Sequence, residues 1–141
     1  MAVRVKIRVR SRESNKEQTL VVLVNGGAES PRPLIAVDGE TASKLCFKDL
    51  SRGEVYEIAE ASSIKQASIF PQAVILELLD DEEKILSTIT ADLAVEEGII
   101  EPLITDVTID ALGIEVISFG KGLWRHVRDP VEIIRRSSQP L

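Results

Sequence analysis

The side chains of this chain that could take part in chemistry are few, and they lie far apart in the sequence. A single cysteine, Cys46, excludes an internal disulfide and favours a reducing compartment such as the cytoplasm. Its neighbours are apolar, which predicts a buried and unreactive thiol. The one histidine, His126, has no cysteine or histidine at the spacing of zinc ligands. Four consecutive carboxylates at 80–83 lack the spacing and the glycine of an EF-hand and predict a solvated turn. We therefore expect neither a metal nor a cofactor.

The most informative stretch is a run of five apolar residues that ends in a glycine-rich turn. It reads Leu20-Val21-Val22-Leu23-Val24, then Asn25-Gly26-Gly27-Ala28-Glu29. A short, valine-rich run without polar breaks predicts a strand buried on both faces. The two glycines permit a positive φ and a close approach by another segment. Taken alone, Asn-Gly after a strand is most typical of a hairpin turn.

Length and charge narrow the possible functions. The 141 residues fit one domain, predicted at 1–130, with an edge strand and a loose tail at 131–141. The net charge is −6, and the acidic groups concentrate in residues 51–120. The basic face of Val3–Arg10 lacks aromatic side chains for stacking on bases, so we expect a solvated strand face, or a face that meets the acidic middle of the same or another chain, and not a nucleic-acid site. No apolar run is long enough to span a bilayer, and Met1–Arg12 lacks the apolar centre of a signal peptide. We therefore expect a cytoplasmic protein with no membrane partner.

Hydrophobic periodicity predicts an all-β chain with two short helices. Strict alternation over 3–10 indicates a half-buried strand. Further strands are predicted at 19–24, 34–37, 54–61, 72–79, 84–93, 99–105, 114–118, 123–127 and 131–134. Asp38 is expected to cap a helix at 39–45. Thr105 or Asp106 should cap another helix at 106–112, which stops at Gly113.

The order of these patterns resembles the retropepsin-type aspartic proteases, in which two identical half-length chains each supply one catalytic aspartate. In that family a buried strand ends in Asp-Thr-Gly-Ala, which corresponds to Asn25–Ala28, and an acid often follows, here Glu29. A later apolar step into a short helix with a glycine exit corresponds to Pro102–Ile114, and Gly122–Arg125 closes a hairpin. The resemblance covers most of residues 3–128. It implies a closed acid-protease-like β-barrel and a symmetric homodimer.

Departures from the family pattern fall at the positions that matter most. Asn25 stands in place of the catalytic Asp, and Gly26 in place of the Thr whose hydroxyl ties the two catalytic loops together. Thr105 replaces a glycine, and the expected flap tip at 62–66 lacks the glycines of a mobile flap. Two aspartates that share a proton provide the general acid and base of this family. An amide can do neither, so the chain as sequenced is expected to be inactive as an ordinary aspartic protease.

Three functions are compatible with these residues. The first is an inactive protease-fold protein that binds peptide or protein in a dimeric cleft, through Gly26, Gly27, Ala28 and Glu29. The second is an active endopeptidase, either after spontaneous deamidation of Asn25 or with Glu29 as a substitute acid. The third is a small β-barrel binding module unrelated to proteases. In the dimer, Asn25–Gly27 of the two copies would meet, with Val3–Arg10 and Val131–Arg136 as candidate interface edges.

Overall fold

The structure is a computed structural model that describes residues 2–60 and 63–140, with the side chains of residues 56, 58–60 and 63–65 left aside. Strands dominate the described residues, and the helices are short. The strands are β1 (Arg4–Ser11), β2 (Glu17–Val24), β3 (Leu34–Val37), β4 (Glu54–Glu60), β5 (Ser63–Leu79), β6 (Ile85–Val95), β7 (Leu103–Ile104), β8 (Ile114–Ser118), β9 (Leu123–His126) and β10 (Arg135–Arg136). The helices are α1 (Gly39–Lys44), α2 (Asp106–Leu112) and a 3₁₀ turn, Leu50–Arg52. The prediction of a mostly β chain with two short helices is confirmed.

Seven strands form one sheet in the order β1-β2-β7-β3-β6-β5-β4, and β1 also pairs with β5. The extra pairing closes six of the strands into a ring and leaves β4 attached to the long strand β5. The short β7 lies between β2 and β3, parallel to β2 and antiparallel to β3. As a result, the end of β2 and the start of α2, which are far apart in the sequence, lie at the same edge of the sheet.

The pattern of apolar residues explains why these strands close a core. On β1, Val5, Ile7 and Val9 are buried, whereas the basic side chains between them are half exposed. All four residues of β3 are buried, as expected for a short apolar strand covered on both faces. The basic face of β1 meets acidic groups of the same chain, because Arg8 Nε lies 2.7 Å from Glu77 Oε1. Of the alternatives expected for this face, the structure shows contact with the acidic middle of the same chain.

Both helices begin and end where local signals place them. Asp38 Oδ1 accepts a hydrogen bond from the Thr41 backbone N–H at 2.8 Å, which caps α1. Thr105 is the N-cap residue of α2, but its side chain makes no capping bond. Gly113 ends α2 in the left-handed conformation with φ 77°.

One expectation about interface edges is wrong, and the predicted C-terminal strand is displaced. Val3–Arg10 is not an edge, since β1 pairs with β2 on one side and with β5 on the other. In the C-terminal segment no strand forms at 131–134; the strand is β10, which pairs with β9 and is an edge strand of the three-stranded sheet. The tail that was predicted to be loose is attached, because the Ser138 N–H donates to the Arg4 carbonyl at 2.8 Å and Ser137 Oγ accepts from the Arg4 N–H at 2.8 Å.

Cys46 also departs from expectation, because it is exposed instead of buried. Its neighbours Leu45 and Phe47 both enter the core. The chain can bury both only by turning sharply between them, and Cys46 takes a left-handed φ of 69° at that turn. Within the described residues, no helix is long and apolar enough to cross a membrane.

Candidate functional site

The Asn25 turn closes on itself directly after β2. The Asn25 carbonyl accepts a hydrogen bond from the Ala28 N–H at 3.1 Å, and Gly27 has φ 108°, a conformation that favours glycine. The turn does not lead into a hairpin, because β7 separates β2 from β3. The prediction of a plain Asn-Gly hairpin is therefore wrong for this position.

Asp106 clamps this turn from the first residue of α2. Its Oδ1 accepts a hydrogen bond from the Gly27 N–H at 3.0 Å, and its own N–H donates to the Ala28 carbonyl at 2.9 Å. The sequence suggested Asp106 only as a possible helix cap, and its carboxylate reaches across to another loop instead. The carboxylate of Asp106 thus joins the turn after β2 to the start of α2. In the family that the sequence resembles, a hydroxyl at position 26 would make the connection between the two loops.

A chain of hydroxyls fixes the loop that follows the turn. Ser30 Oγ lies 2.7 Å from Thr105 Oγ1, which lies 2.8 Å from Thr108 Oγ1. Thr108 Oγ1 accepts from the Leu34 N–H at 2.7 Å and donates to the Leu34 carbonyl at 3.0 Å, while Ser30 Oγ lies 2.7 Å from the Arg32 carbonyl. Three hydroxyl protons thus serve four oxygen–oxygen contacts, so one contact is always without a proton. The loop is held at both of its ends.

A cavity of about 460 Å³ opens directly beside this loop. The segment 29–32 and Leu34 form one wall, and the β4–β5 hairpin forms the other. The lining residues are Glu29, Ser30, Pro31, Arg32, Leu34, Glu54, Glu57, Ile69, Pro71 and Asp92. The volume falls within the range of small-molecule and peptide side-chain pockets.

Asp92 lines the cavity and joins its two walls. One carboxylate oxygen accepts from the Arg32 guanidinium, with Nη2 at 3.1 Å, and the other accepts from the Gln72 N–H at 2.8 Å. Gln72 has an unusual φ of 49° and sits in a bulge of β5, next to Pro71. Asp92 is 4% exposed, and its pairing with Arg32 neutralises the one basic side chain among the described residues that line the cavity.

The sequence-predicted site residues have different surroundings. Asn25 is half-buried, and Gly26 and Gly27 are exposed. Ala28 is buried at 1% exposure among core side chains, so it cannot contact a ligand directly. Glu29 is exposed and lines the cavity. The expected hairpin tip at 62–66 belongs to the β4–β5 hairpin, whose tip residues 61–62 lie outside the described part of the chain.

The ring of Phe119 faces the position that a side chain on Gly26 would occupy. A Cβ placed on Gly26 would lie 3.4 Å from Phe119 Cζ, which is ordinary contact distance. Phe119 belongs to the turn between β8 and β9 and is half exposed. The C-terminal hairpin therefore borders the Asn25 turn on the side of Gly26.

Sequence reasoning missed Asp92, Arg32 and the carboxylates of β4. Asp92 was assigned to one face of a strand, and no local signal shows that this face meets a loop 60 residues earlier in the sequence. Among the described residues, no group of three or more His, Cys, Asp or Glu could hold a metal ion. No protein-family model matches the chain, and no curated protein matches it significantly.

Proposed function

We propose that this chain is an acid-protease-like lobe that binds an extended peptide beneath the β4–β5 hairpin and, as synthesised, does not cleave it. The cavity carries this proposal. It begins at Glu29, directly after the turn that corresponds to the family's catalytic motif, and the hairpin that corresponds to the family's flap forms its other wall.

The order of elements supports the resemblance. The turn after β2 and the start of α2 are joined by Asp106, as the resemblance requires of two loops that form one site. The closed ring of strands is compatible with an acid-protease-like barrel. The contact through Asp106 and the closed ring of strands both agree with the resemblance, and neither depends on a single sequence motif.

The same turn explains the expected lack of cleavage. Asn25 carries an amide, which neither takes a proton from water nor gives one to a leaving amine in the physiological pH range. General acid–base catalysis contributes roughly 10²–10⁴-fold, and the same groups would also orient the attacking water, so the loss should exceed this range.

The charge of the cavity predicts the kind of peptide. Among the described residues, Glu29 and Glu57 line it, and the guanidinium of Arg32 that also lines it is already paired with Asp92. The described part of the lining therefore carries an excess of negative charge that favours a lysine or arginine side chain over an acidic one. We propose a peptide with a basic residue at the position that enters the cavity.

The proposal includes a homodimer in which the two Asn25 turns face one another. Within the described residues β8 pairs with β9 alone, so its other edge is open to a second copy. Ile117, Phe119 and Val127 are exposed on the same hairpin, and Phe119 reaches the Asn25 turn. Light scattering at working concentration tests this, with Ile117→Glu expected to shift a dimer to monomer. A monomeric parent protein would contradict the two-lobed cleft.

A binding titration tests the proposed ligand. Two labelled peptides of equal length, one with a central lysine and one with a central glutamate, are titrated by fluorescence anisotropy. Glu29→Gln and Glu57→Gln should each lower the affinity for the lysine peptide roughly two- to fivefold, the size expected for loss of an exposed charge pair. Glu40→Gln, at an exposed glutamate of α1 that does not line the cavity, is the matched control and should change nothing. Equal affinity for both peptides, or no effect of either cavity variant, would overturn the proposal.

A further inference from the structure

The two groups that react in asparagine deamidation are both unengaged at Asn25–Gly26. Within the described part of the chain, no hydrogen bond involves the Asn25 carboxamide or the Gly26 backbone N–H. The bonds that hold the turn start one residue later, from the Gly27 N–H to Asp106 and from the Ala28 N–H to the Asn25 carbonyl. Gly26 is exposed, so water reaches the pair.

We propose that Asn25 is a self-modification site, which converts to aspartate and isoaspartate in the folded protein. The Gly26 backbone nitrogen attacks Cγ of Asn25 and forms a new N–C bond, and the side-chain nitrogen leaves as ammonia with the proton lost from Gly26. Water then opens the resulting succinimide at one of its two carbonyls. The net reaction consumes one water and releases one ammonia, with no oxidant or reductant.

The second asparagine of the chain shows why Asn25 is special. Asn15 is exposed and directly follows the turn after β1, but the backbone nitrogen that would attack it, that of Lys16, donates to Ser14 Oγ at 3.3 Å. Lys16 also carries a side chain that crowds the approach, whereas Gly26 has no Cβ. Asn15 therefore provides a control within the same molecule.

The product changes the chemistry of the turn. An aspartate at position 25 adds a carboxylate to a turn that already binds the carboxylate of Asp106 through Gly27. Isoaspartate lengthens the backbone by one carbon and would displace that clamp. The consequence for peptide binding or cleavage rests on the proposed function, whereas the modification itself does not.

The test follows both asparagines by peptide mapping. Purified protein is incubated at mildly alkaline pH and physiological temperature, and samples are digested and analysed by mass spectrometry with aspartate and isoaspartate separated. We expect Asn25 to convert several-fold faster than Asn15. Gly26→Ala should abolish most of this difference, because the added Cβ crowds the attacking backbone nitrogen. The fold should persist, because that Cβ would lie at contact distance from Phe119.

Two results would overturn the inference. One is conversion of Asn25 no faster than that of Asn15 in the same sample. The other is conversion that appears only when the protein is incubated in urea, which would show that the folded turn protects the pair. The mass readout is independent of ligand binding. Rapid conversion without peptide binding would therefore refute the proposed function alone, and binding without conversion would refute this inference alone.

Discussion

Replacing Thr108 by valine should remove the contact that fastens the cavity loop to α2. The hydroxyl is fully buried, accepts from the Leu34 N–H at 2.7 Å and donates to the Leu34 carbonyl at 3.0 Å. Valine keeps the shape of the side chain but cannot bond to either backbone group. Its methyl also needs more room than an oxygen at 2.7 Å, so the loop must shift.

The cost follows from the groups left without a partner. A buried donor or acceptor that loses its hydrogen bond costs about 1–3 kcal/mol, and here both groups of Leu34 are affected. Partial relaxation of the loop lowers the sum, so we expect a loss of about 2–4 kcal/mol in the free energy of unfolding. For a chain of this length that corresponds to a decrease of about 6–15 °C in Tm.

Urea denaturation of parent and variant measures this loss. We expect a lower midpoint with an unchanged m-value, because the surface exposed on unfolding stays the same. Thr90→Val, at an exposed position of β6, is the matched control and should stay within about 0.5 kcal/mol of the parent. If Thr108→Val also stays within that range, the hydroxyl chain does not stabilise the loop and the reasoning is refuted.

Three further predictions concern stability and activity. The Arg135 guanidinium, together with the backbone N–H at His126, holds the pKa of Asp129 below its ordinary value, with Arg135 Nε at 2.7 Å. That stabilisation is present above the ordinary carboxyl pKa and is lost as pH falls through the lowered one, so in denaturation experiments Asp129→Asn should cost about 1.5–3 kcal/mol at neutral pH and progressively less as pH falls through the lowered pKa. Gly113→Ala should lower the free energy of unfolding by more than about 1–2 kcal/mol, measured in the same way, because φ at Gly113 is 77° and the new Cβ would lie 2.8 Å from Nε2 of the buried His126. Asn25→Asp combined with Gly26→Thr should give cleavage of an unfolded protein substrate that fresh parent protein lacks; strong cleavage by fresh parent with the amide intact would refute the assignment of the turn.

Local patterns were sufficient to predict most elements of this fold. Alternation on β1, the uninterrupted apolar run of β2, the cap at Asp38 and the glycine stop at Gly113 each depend on a few neighbouring residues. These local signals would be the same in any fold that buries the same side chains of each strand and helix. The acidic turn at 80–83 and the short helices could be predicted for the same reason.

The arrangement of the site could not be predicted in this way. The closure of β1 on β5 pairs Lys6 with Leu79, and no local pattern specifies a partner so far along the chain. The side chain of Asp106 has two plausible uses, as a helix cap or as a clamp, and only the neighbouring turn decides between them. Cys46 has an apolar context, but its own side chain is turned outward because both of its neighbours are buried.

Chemical-shift mapping tests the central claim most directly. Isotope-labelled protein is titrated with the lysine peptide, and the backbone amide signals are followed by NMR. The account predicts that the largest shifts fall on the two walls of the cavity, at 29–34 and at 54–57, with the C-terminal hairpin at 114–126 little affected. Shifts confined to the hairpin, or no saturable shifts at either wall, would contradict a peptide-binding cavity beside the Asn25 turn.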